Sequence, residues 1–237
     1  MDKELKKELQ RDEVGEALLG ARGFLARPDV FKPALAVAGL ALVLAGLYYG
    51  QGLRASKAES AFARATEVFH AEVGPLASPA SGQAFKTSNE KLEQAKTMFD
   101  EVATSYSSMP AGKRAQYYSA LCLAELGRTK EAEAALEIVA SRRDPNSIEP
   151  AMARLRLAEL VLQDGRATDA VSRYKSMIDD VASGLPKDRL IFGLATSLEA
   201  AGDQAAARQA YAEVVNRHPQ SPYVQDARQK MDALATL

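Results

Sequence analysis

The chain has 237 residues, 47% of them hydrophobic, which is enough to bury a core and excludes a wholly disordered protein. Lysine plus arginine (30) nearly cancels aspartate plus glutamate (31), so no basic surplus indicates nucleic-acid binding. One cysteine and two histidines predict neither an internal disulfide nor a metal site, while abundant alanine and the absence of tryptophan favour packed helices.

Residues 1–32 are polar and balanced, with seven basic and seven acidic side chains. Their leucines fit either one face of a short helix or a solvated tail: Leu5, Leu9, Leu18 and Leu19. We expect this part to be an N-terminal cytoplasmic segment.

Residues 33–53 contain no charge and predict a transmembrane helix, because 21 residues at about 1.5 Å each span the apolar part of a bilayer. Two alternatives remain open: a buried core helix, and a signal peptide cut near the small-residue pattern Ala61-Phe62-Ala63. The long, acidic segment before the span favours an uncleaved anchor. Basic residues on both sides discriminate its orientation only weakly, and we expect the N-terminus in the cytoplasm.

Three turn glycines organise the rest of the chain: Gly127, Gly165 and Gly202, at intervals of 38 and 37 residues. Each is followed by an alanine and then by a large residue, in the pairs Ala132 and Leu136, Ala170 and Tyr174, Ala207 and Tyr211. A glycine ends one helix cheaply in the left-handed conformation, and an alanine lets the next helix pack closely. The pattern therefore predicts helical hairpins.

Further signals mark the ends of these helices. Thr129 and Asp203 are predicted N-caps, and Thr87 with Glu90 has capping-box spacing. An earlier, degenerate hairpin is predicted from helices over 54–73 and 88–107, with Ala95 and Phe99 on one face and the loop "GPLASPASGQAFK" between them. A last helix over 221–235 is expected to cover the final apolar face.

Residues 188–219 resemble the tetratricopeptide repeat at seven positions: Leu194, Ala195, Leu198, Gly202, Ala207, Tyr211 and Pro219. The middle repeat lacks the closing proline, Pro145 comes one place late in the repeat before it, and none has the family's tryptophan. The resemblance implies a tetratricopeptide-like domain over 54–237 with about three to four repeats and a capping helix. With the transmembrane helix predicted before it, the chain is expected to be all-α.

No catalytic motif accompanies this pattern. The sequence lacks GxSxG, GxxxxGK[ST] and GxGxxG, and His70 and His218 lie near proline-containing turns. Cys122 lies between leucines, which favours a buried apolar role over a nucleophile. We predict a non-enzyme without catalytic residues, cofactor or metal.

In tetratricopeptide repeats the first helix of each hairpin faces a concave groove. Applied to this chain, the resemblance implies nine groove residues: Arg114, Tyr117, Glu125, Met152, Leu155, Glu159, Arg189, Phe192 and Glu199. Such a groove suits an extended or helical peptide of low net charge. The opposing interpretation is that Tyr117, Leu155 and Phe192 pack neighbouring repeats together, and that the arginines are solvated or ion-paired.

The order of parts is similar to that of the YfgM-like ancillary subunits of the bacterial Sec translocon. That resemblance implies a single-pass inner-membrane protein whose periplasmic repeats link secreted proteins, the SecYEG translocon and periplasmic chaperones. The stretch "YAEVVNRHPQSPYVQDA" is also similar to repeats of the periplasmic cell-division coordinator and of the outer-membrane assembly lipoprotein, which leaves an envelope adaptor as the alternative. The sequence does not define an oligomeric state.

Overall fold

The computed structural model describes residues 28–74, 85–180 and 184–235. Within them it contains nine α-helices, and the predicted all-α class is confirmed. These are α1 (Pro28–Phe69), α2 (Ser88–Ser105), α3 (Pro110–Glu125), α4 (Thr129–Ala140), α5 (Glu149–Gln163), α6 (Ala167–Asp179), α7 (Lys187–Ala200), α8 (Gln204–Arg217) and α9 (Val224–Leu234). The predicted leucine face at residues 5–19 lies outside the described residues.

The chain divides into two compact units, Met1–Lys57 and Ala58–Leu237. In the described part of the first unit, the large apolar side chains from Leu35 to Leu53 are 56–79% exposed. Among the described residues, this helix alone is long and apolar enough to cross a membrane. The boundaries of the span at residues 33 and 53 stay a prediction.

The second unit consists of stacked helical hairpins. Residues 58–69 of α1 pack against α2 through the Phe62 and Phe99 rings, whose centroids are 5.7 Å apart. The pairs α3 and α4, α5 and α6, and α7 and α8 follow, and α9 packs against α8. The predicted first helix over 54–73 ends at Phe69 and continues without a break from the apolar segment.

The three turn glycines adopt the conformation that their spacing predicts. Gly127, Gly165 and Gly202 have φ values of 73°, 80° and 84°, which L side chains rarely adopt. Each turn has the same two hydrogen bonds: in the first, the Gly127 amide donates to the Ala124 carbonyl (3.1 Å) and the Arg128 amide donates to the Leu123 carbonyl (2.9 Å). These bonds satisfy carbonyls that the helix end leaves open.

The residues predicted to pack inside the hairpins are buried. Ala132, Ala170 and Ala207 are 0% exposed, and the large residues Leu136, Tyr174 and Tyr211 are at most 3% exposed. Tyr174 also reaches the next hairpin, where its ring lies against Gly193 so closely that a Cβ there would overlap it. Glycine on α7 therefore makes room for a ring from α6.

The predicted caps had mixed outcomes. Thr87 accepts a hydrogen bond from the Glu90 amide (3.2 Å), and Asp203 accepts one from the Ala206 amide (3.1 Å), so both are confirmed. Thr129 is wrong as an N-cap, because Arg128 occupies that position and Thr129 is the first helical residue. The Thr129 hydroxyl instead faces the Gly127 carbonyl at 3.5 Å.

The first hairpin has a loop where the others have a glycine turn. A short bridge between Val73 and Phe85 closes this loop, and the Gly74 amide donates to the Phe85 carbonyl (3.1 Å). Residues 75–84 of the loop lie outside the described residues. Ala95 and Phe99 of α2 are both 0% exposed, as their shared face predicts.

Candidate partner-binding groove

The nine predicted groove residues lie on α3, α5 and α7, the first helices of three successive hairpins. We call the surface formed by these residues and their ion-pair partners the groove face. Its apolar and charged members differ in how much of each side chain is available to a partner.

The apolar members of the groove face are mostly covered. Tyr117 and Leu155 are each 5% exposed, and Phe192 is half-buried because its ring stacks on Tyr223, the N-cap of α9, with centroids 4.8 Å apart. Met152 is 37% exposed. Of the predicted apolar stripe, Met152 and the edge of Phe192 are therefore the parts that a ligand can contact.

The charged members form ion pairs that join each first helix to the next. In chain order the pairs are Glu59 with Arg114, Glu125 with Arg156 (3.0 Å), Glu159 with Arg189 (3.0 Å) and Glu199 with Lys230 (2.9 Å). Each pair places an acid on the earlier helix and a base on the later one. Each of the five charged residues predicted for the groove is thus paired across a hairpin boundary.

Glu159 lies at the centre of this series. Its carboxylate accepts from Arg189 (3.0 Å) and from Arg156 (3.3 Å), and its side chain is 26% exposed. Burial, together with the nearby Tyr118 and the Glu159 charge, raises the pKa of Tyr117 to about 12. Tyr117 therefore stays a neutral, packed phenol at physiological pH.

At the C-terminal end of the groove face, Glu199 holds three helices together. It accepts hydrogen bonds from Lys230 of α9 (2.9 Å) and from the Tyr211 hydroxyl of α8 (2.7 Å). Burial opposes the charged form of Glu199, but these two hydrogen bonds keep its pKa below the ordinary value. The carboxylate is thus ionised and engaged before any ligand arrives.

Comparison with known families identifies the domain. The sequence model described as a tetratricopeptide repeat-like domain matches residues 34–236. The chain belongs to this family. The match includes most of the apolar segment as well as every hairpin, and this fold is typical of non-enzymatic protein-interaction scaffolds.

Solved structures agree on the fold of the tetratricopeptide-like domain. Two crystal structures of TPR-like repeats, from a Podosopora anserina protein described as a kinesin light chain, have TM-scores of 0.57 and 0.56 at 15% identity. Each match covers 76% of the present chain and 86% of the chain in the solved structure. At this identity the likeness shows the fold alone. No curated protein matches the sequence significantly.

The sequence reasoning missed three partners in the tetratricopeptide-like domain: Glu59, Arg156 and Lys230. A signal for two of them was present, because three of the acid–base pairs are separated by 31, 30 and 31 residues. The pair of Glu59 and Arg114 is separated by 55 residues, since the long loop lies between them. A search for opposite charges 31 residues apart, about two helical turns less than the glycine spacing, finds Arg156 and Lys230.

An aromatic cluster at the N-terminal end of the tetratricopeptide-like domain was also missed. Tyr118 lies 5.4 Å from Phe62 and 5.2 Å from Phe99, measured between ring centroids. The Arg114 guanidinium lies over the Phe62 ring at 4.6 Å, a favourable cation–π distance. The ion pair with Glu59 and this ring together fix Arg114.

The residues weighed for chemistry lie apart from one another. Cys122 is 0% exposed, and burial, with the nearby Asp100 charge, raises the pKa of its thiol to about 12. His70 follows the end of α1 and His218 caps α8. In the part of the chain that the structure describes, no group of three or more His, Cys, Asp or Glu residues could hold a metal ion.

Proposed function

We propose that the protein is a membrane-anchored interaction scaffold. The apolar part of α1 crosses the bacterial inner membrane with the N-terminus in the cytoplasm, and the tetratricopeptide-like domain holds protein partners in the periplasm. As an ancillary subunit of the SecYEG translocon, it passes secreted proteins to periplasmic chaperones. The domain boundaries that we propose are 1–32, 33–53 and 54–237.

The packing of the first hairpin is the observation that supports an uncleaved membrane anchor. A signal peptidase that cut after Ala63 would remove Glu59, which forms an ion pair with Arg114, and Phe62, whose ring lies under the Arg114 guanidinium. It would also remove Ala58, which is 1% exposed, and the Phe62 contact with α2. Because losing buried contacts costs stability, the folded domain favours retention of the segment.

The family match supports the same interpretation. It begins at residue 34, inside the apolar segment, and continues through the repeats to residue 236. The apolar segment and the repeats thus belong to one family unit. An anchor confines the groove near the membrane and raises its local concentration around proteins that emerge there, without any additional contact.

The chemistry of the groove face favours a peptide of low net charge. Its acids and bases are already paired, so a highly charged ligand would have to break ion pairs before forming new ones. Met152 offers an exposed, flexible apolar contact on α5, and methionine adapts well to varied partners. We therefore propose that segments of secreted proteins contact Met152 and the edge of Phe192.

The first experiment is N-terminal sequencing of the mature protein isolated from membranes. An intact chain that retains residues 33–53 is the expected result. A mature start near residue 64 would overturn the anchor and favour the alternative, a soluble periplasmic adaptor in envelope assembly or cell division.

The second experiment is photocrosslinking in intact cells from two regions. Probes at Leu40 and Leu47 report on the membrane partner, and a probe at Met152 reports on the groove. Arg208, exposed on α8, is the control site. Capture of a translocon component from the membrane probes and of secreted chains from Met152 is expected. Capture of no translocon component would remove that role while leaving the scaffold intact.

A further inference from the structure

A cleft of about 790 Å³ lies outside the groove face, beside the loop that joins α4 to α5. Its walls include Arg142, Arg143 and Ile148 of this loop, Arg154 of α5, and Asp180 after α6. None of the nine predicted groove residues lines it. Its volume is within the range of roughly 300–1,000 Å³ that ligand sites occupy.

The cleft has more positive than negative charge available to a ligand. Asp144 is engaged by Lys113 (2.8 Å), whose hydrogen bond, with that of the Asn146 amide, keeps the pKa of Asp144 below its ordinary value. Asp180 pairs with Arg154 (3.1 Å). No carboxylate among the described residues pairs with Arg142 or Arg143. Arg142 and Arg143 are thus two adjacent cations that an anionic ligand can pair with, in a chain whose net charge is −1.

The hydrogen bonds of these arginines leave most of their donors open. Arg142 donates to the Lys113 carbonyl at 3.4 Å, a long and weak bond. Exposed Arg143 has no hydrogen bond or ion pair within the described ranges. The Nε atom of Arg154 is buried and has no partner there either. Because a guanidinium presents five donors in a planar fork, Arg142 and Arg143 can each hold a carboxylate bidentately.

Apolar surface accompanies this charge. Ile148 is 45% exposed, and Ala140, Pro145 and Pro150 also line the cleft. A free inorganic anion would leave this surface wet, whereas a peptide with carboxylates and an aliphatic side chain would cover it. The combination therefore favours a peptide over a small anion or a lipid headgroup.

We propose that this cleft binds a short acidic peptide segment of a partner protein, with carboxylates on Arg142 and Arg143 and an aliphatic side chain on Ile148. It is a second binding surface, separate from the groove face. Through it the scaffold holds one partner by an acidic segment while the groove remains open to another.

The test uses the full chain in detergent micelles and a fluorescent peptide of alternating aspartate and leucine. A peptide with lysine in place of aspartate is the charge control. Fluorescence anisotropy is expected to show binding of the acidic peptide that weakens as salt is added, and no binding of the basic one. Equal binding of both peptides would overturn the proposal.

Paired variants locate the site. We expect Arg142→Ala with Arg143→Ala to weaken binding about tenfold or more, because two charge-assisted contacts are lost. Arg208→Ala with Arg228→Ala removes two other exposed arginines and is expected to change the affinity by less than about twofold. Equal losses in the two pairs would contradict the assignment. If the first pair unfolds, Arg143→Glu alone gives the same test, since Arg143 makes no bond among the described residues.

Two further measurements identify the ligand class. Ile148→Ser is expected to weaken binding of the aspartate–leucine peptide about threefold, in line with the loss of a partly buried aliphatic contact. Displacement of the peptide by equimolar inorganic phosphate, or by anionic lipid vesicles, would sink the peptide assignment. Met152→Asp changes the groove and is expected to leave this binding unchanged, which separates a failure here from a failure of the proposed function.

Discussion

The buried contacts inside the hairpins and the ion pairs of the groove face differ in how regularly they repeat. Inside the hairpins, Ala132, Ala170 and Ala207 occupy the same place after each glycine, and all are 0% exposed. On the groove face, Arg156 lies about one turn further along its helix than Arg189 does, yet both reach Glu159.

The difference follows from how much free energy is lost when a side chain of the wrong size or position is present. A wrong volume in a close-packed interior creates a cavity or an overlap, which costs several kcal/mol. A half-exposed ion pair contributes about 0–1 kcal/mol, so its geometry is less constrained. The interior therefore keeps strict spacing, while the positions of the ion-paired residues along their helices are free to vary.

Replacing Tyr211 is expected to have the largest effect, because its ring is 0% exposed between α7 and α8. Tyr211→Ala should lower the free energy of unfolding by about 3–5 kcal/mol. Tyr211→Phe keeps the ring and loses the hydroxyl bond to the ionised Glu199 carboxylate, which should cost about 1.5–3 kcal/mol. Denaturant unfolding of the full chain in detergent, followed by circular dichroism, measures both. Equal losses for the two variants would contradict a packing role.

The next effect concerns the close approach of two hairpins. In Gly193→Ala the new methyl group overlaps the Tyr174 ring, so we expect a loss of about 1–3 kcal/mol in the same unfolding assay. Gly52→Ala is the control, since that helical glycine has open space around it. If the two variants were equally stable, the contact between α6 and α7 would not be tight.

A much smaller stability change is expected on the groove face. Glu159→Gln removes the shared partner of Arg156 and Arg189, and should cost less than about 1 kcal/mol because these side chains are partly solvated. Glu137→Gln on α4 breaks the comparable pair with Arg173 and is the matched control. If Glu159→Gln alone lost several kcal/mol of unfolding free energy, Glu159 would matter to stability as much as a buried residue, and the difference between the interior and the groove face would not hold.

The smallest effect is a dependence of stability on pH. Because the folded protein lowers the pKa of Glu199 below its ordinary value of 4.5, the associated stabilisation is complete at neutral pH. It is lost as the pH falls below about 4.5 and the carboxylate takes up a proton. Melting temperatures measured across this range should decline less steeply for Glu199→Gln. A steeper decline in that variant would reverse the sign.

Features of the fold that depend on neighbouring residues were predictable from the sequence. Gly165 needs a positive φ at its own position, and Thr87 needs only the Glu90 amide three residues later. The prediction of Thr129 as an N-cap was wrong because of the hydrogen bonds in the turn. The Arg128 amide donates to the Leu123 carbonyl, and Arg128 occupies the N-cap position. The hydrogen bonds of the turn thus move the start of α4 by one residue from the predicted position.

The candidate site was only partly predictable. The sequence predicted five charged groove residues on α3, α5 and α7, and the structure shows each of them in an ion pair between hairpins. It did not distinguish exposed Met152 from buried Leu155, since both are apolar residues on one side of α5. That distinction depends on how α3 and α7 cover α5, which is set by packing angles between hairpins.

The sequence alone therefore determined the all-helical class, the positions of the glycine turns and the alanines that allow close packing. These follow from backbone conformation and from side-chain size at short spacing. The tertiary structure alone decided which acid pairs with which base, and that Arg142 and Arg143 line a cleft where neither pairs with a carboxylate of the described residues. Pairs about 30 residues apart meet only after whole hairpins have stacked, because their contact depends on the angle between helices rather than on local propensity.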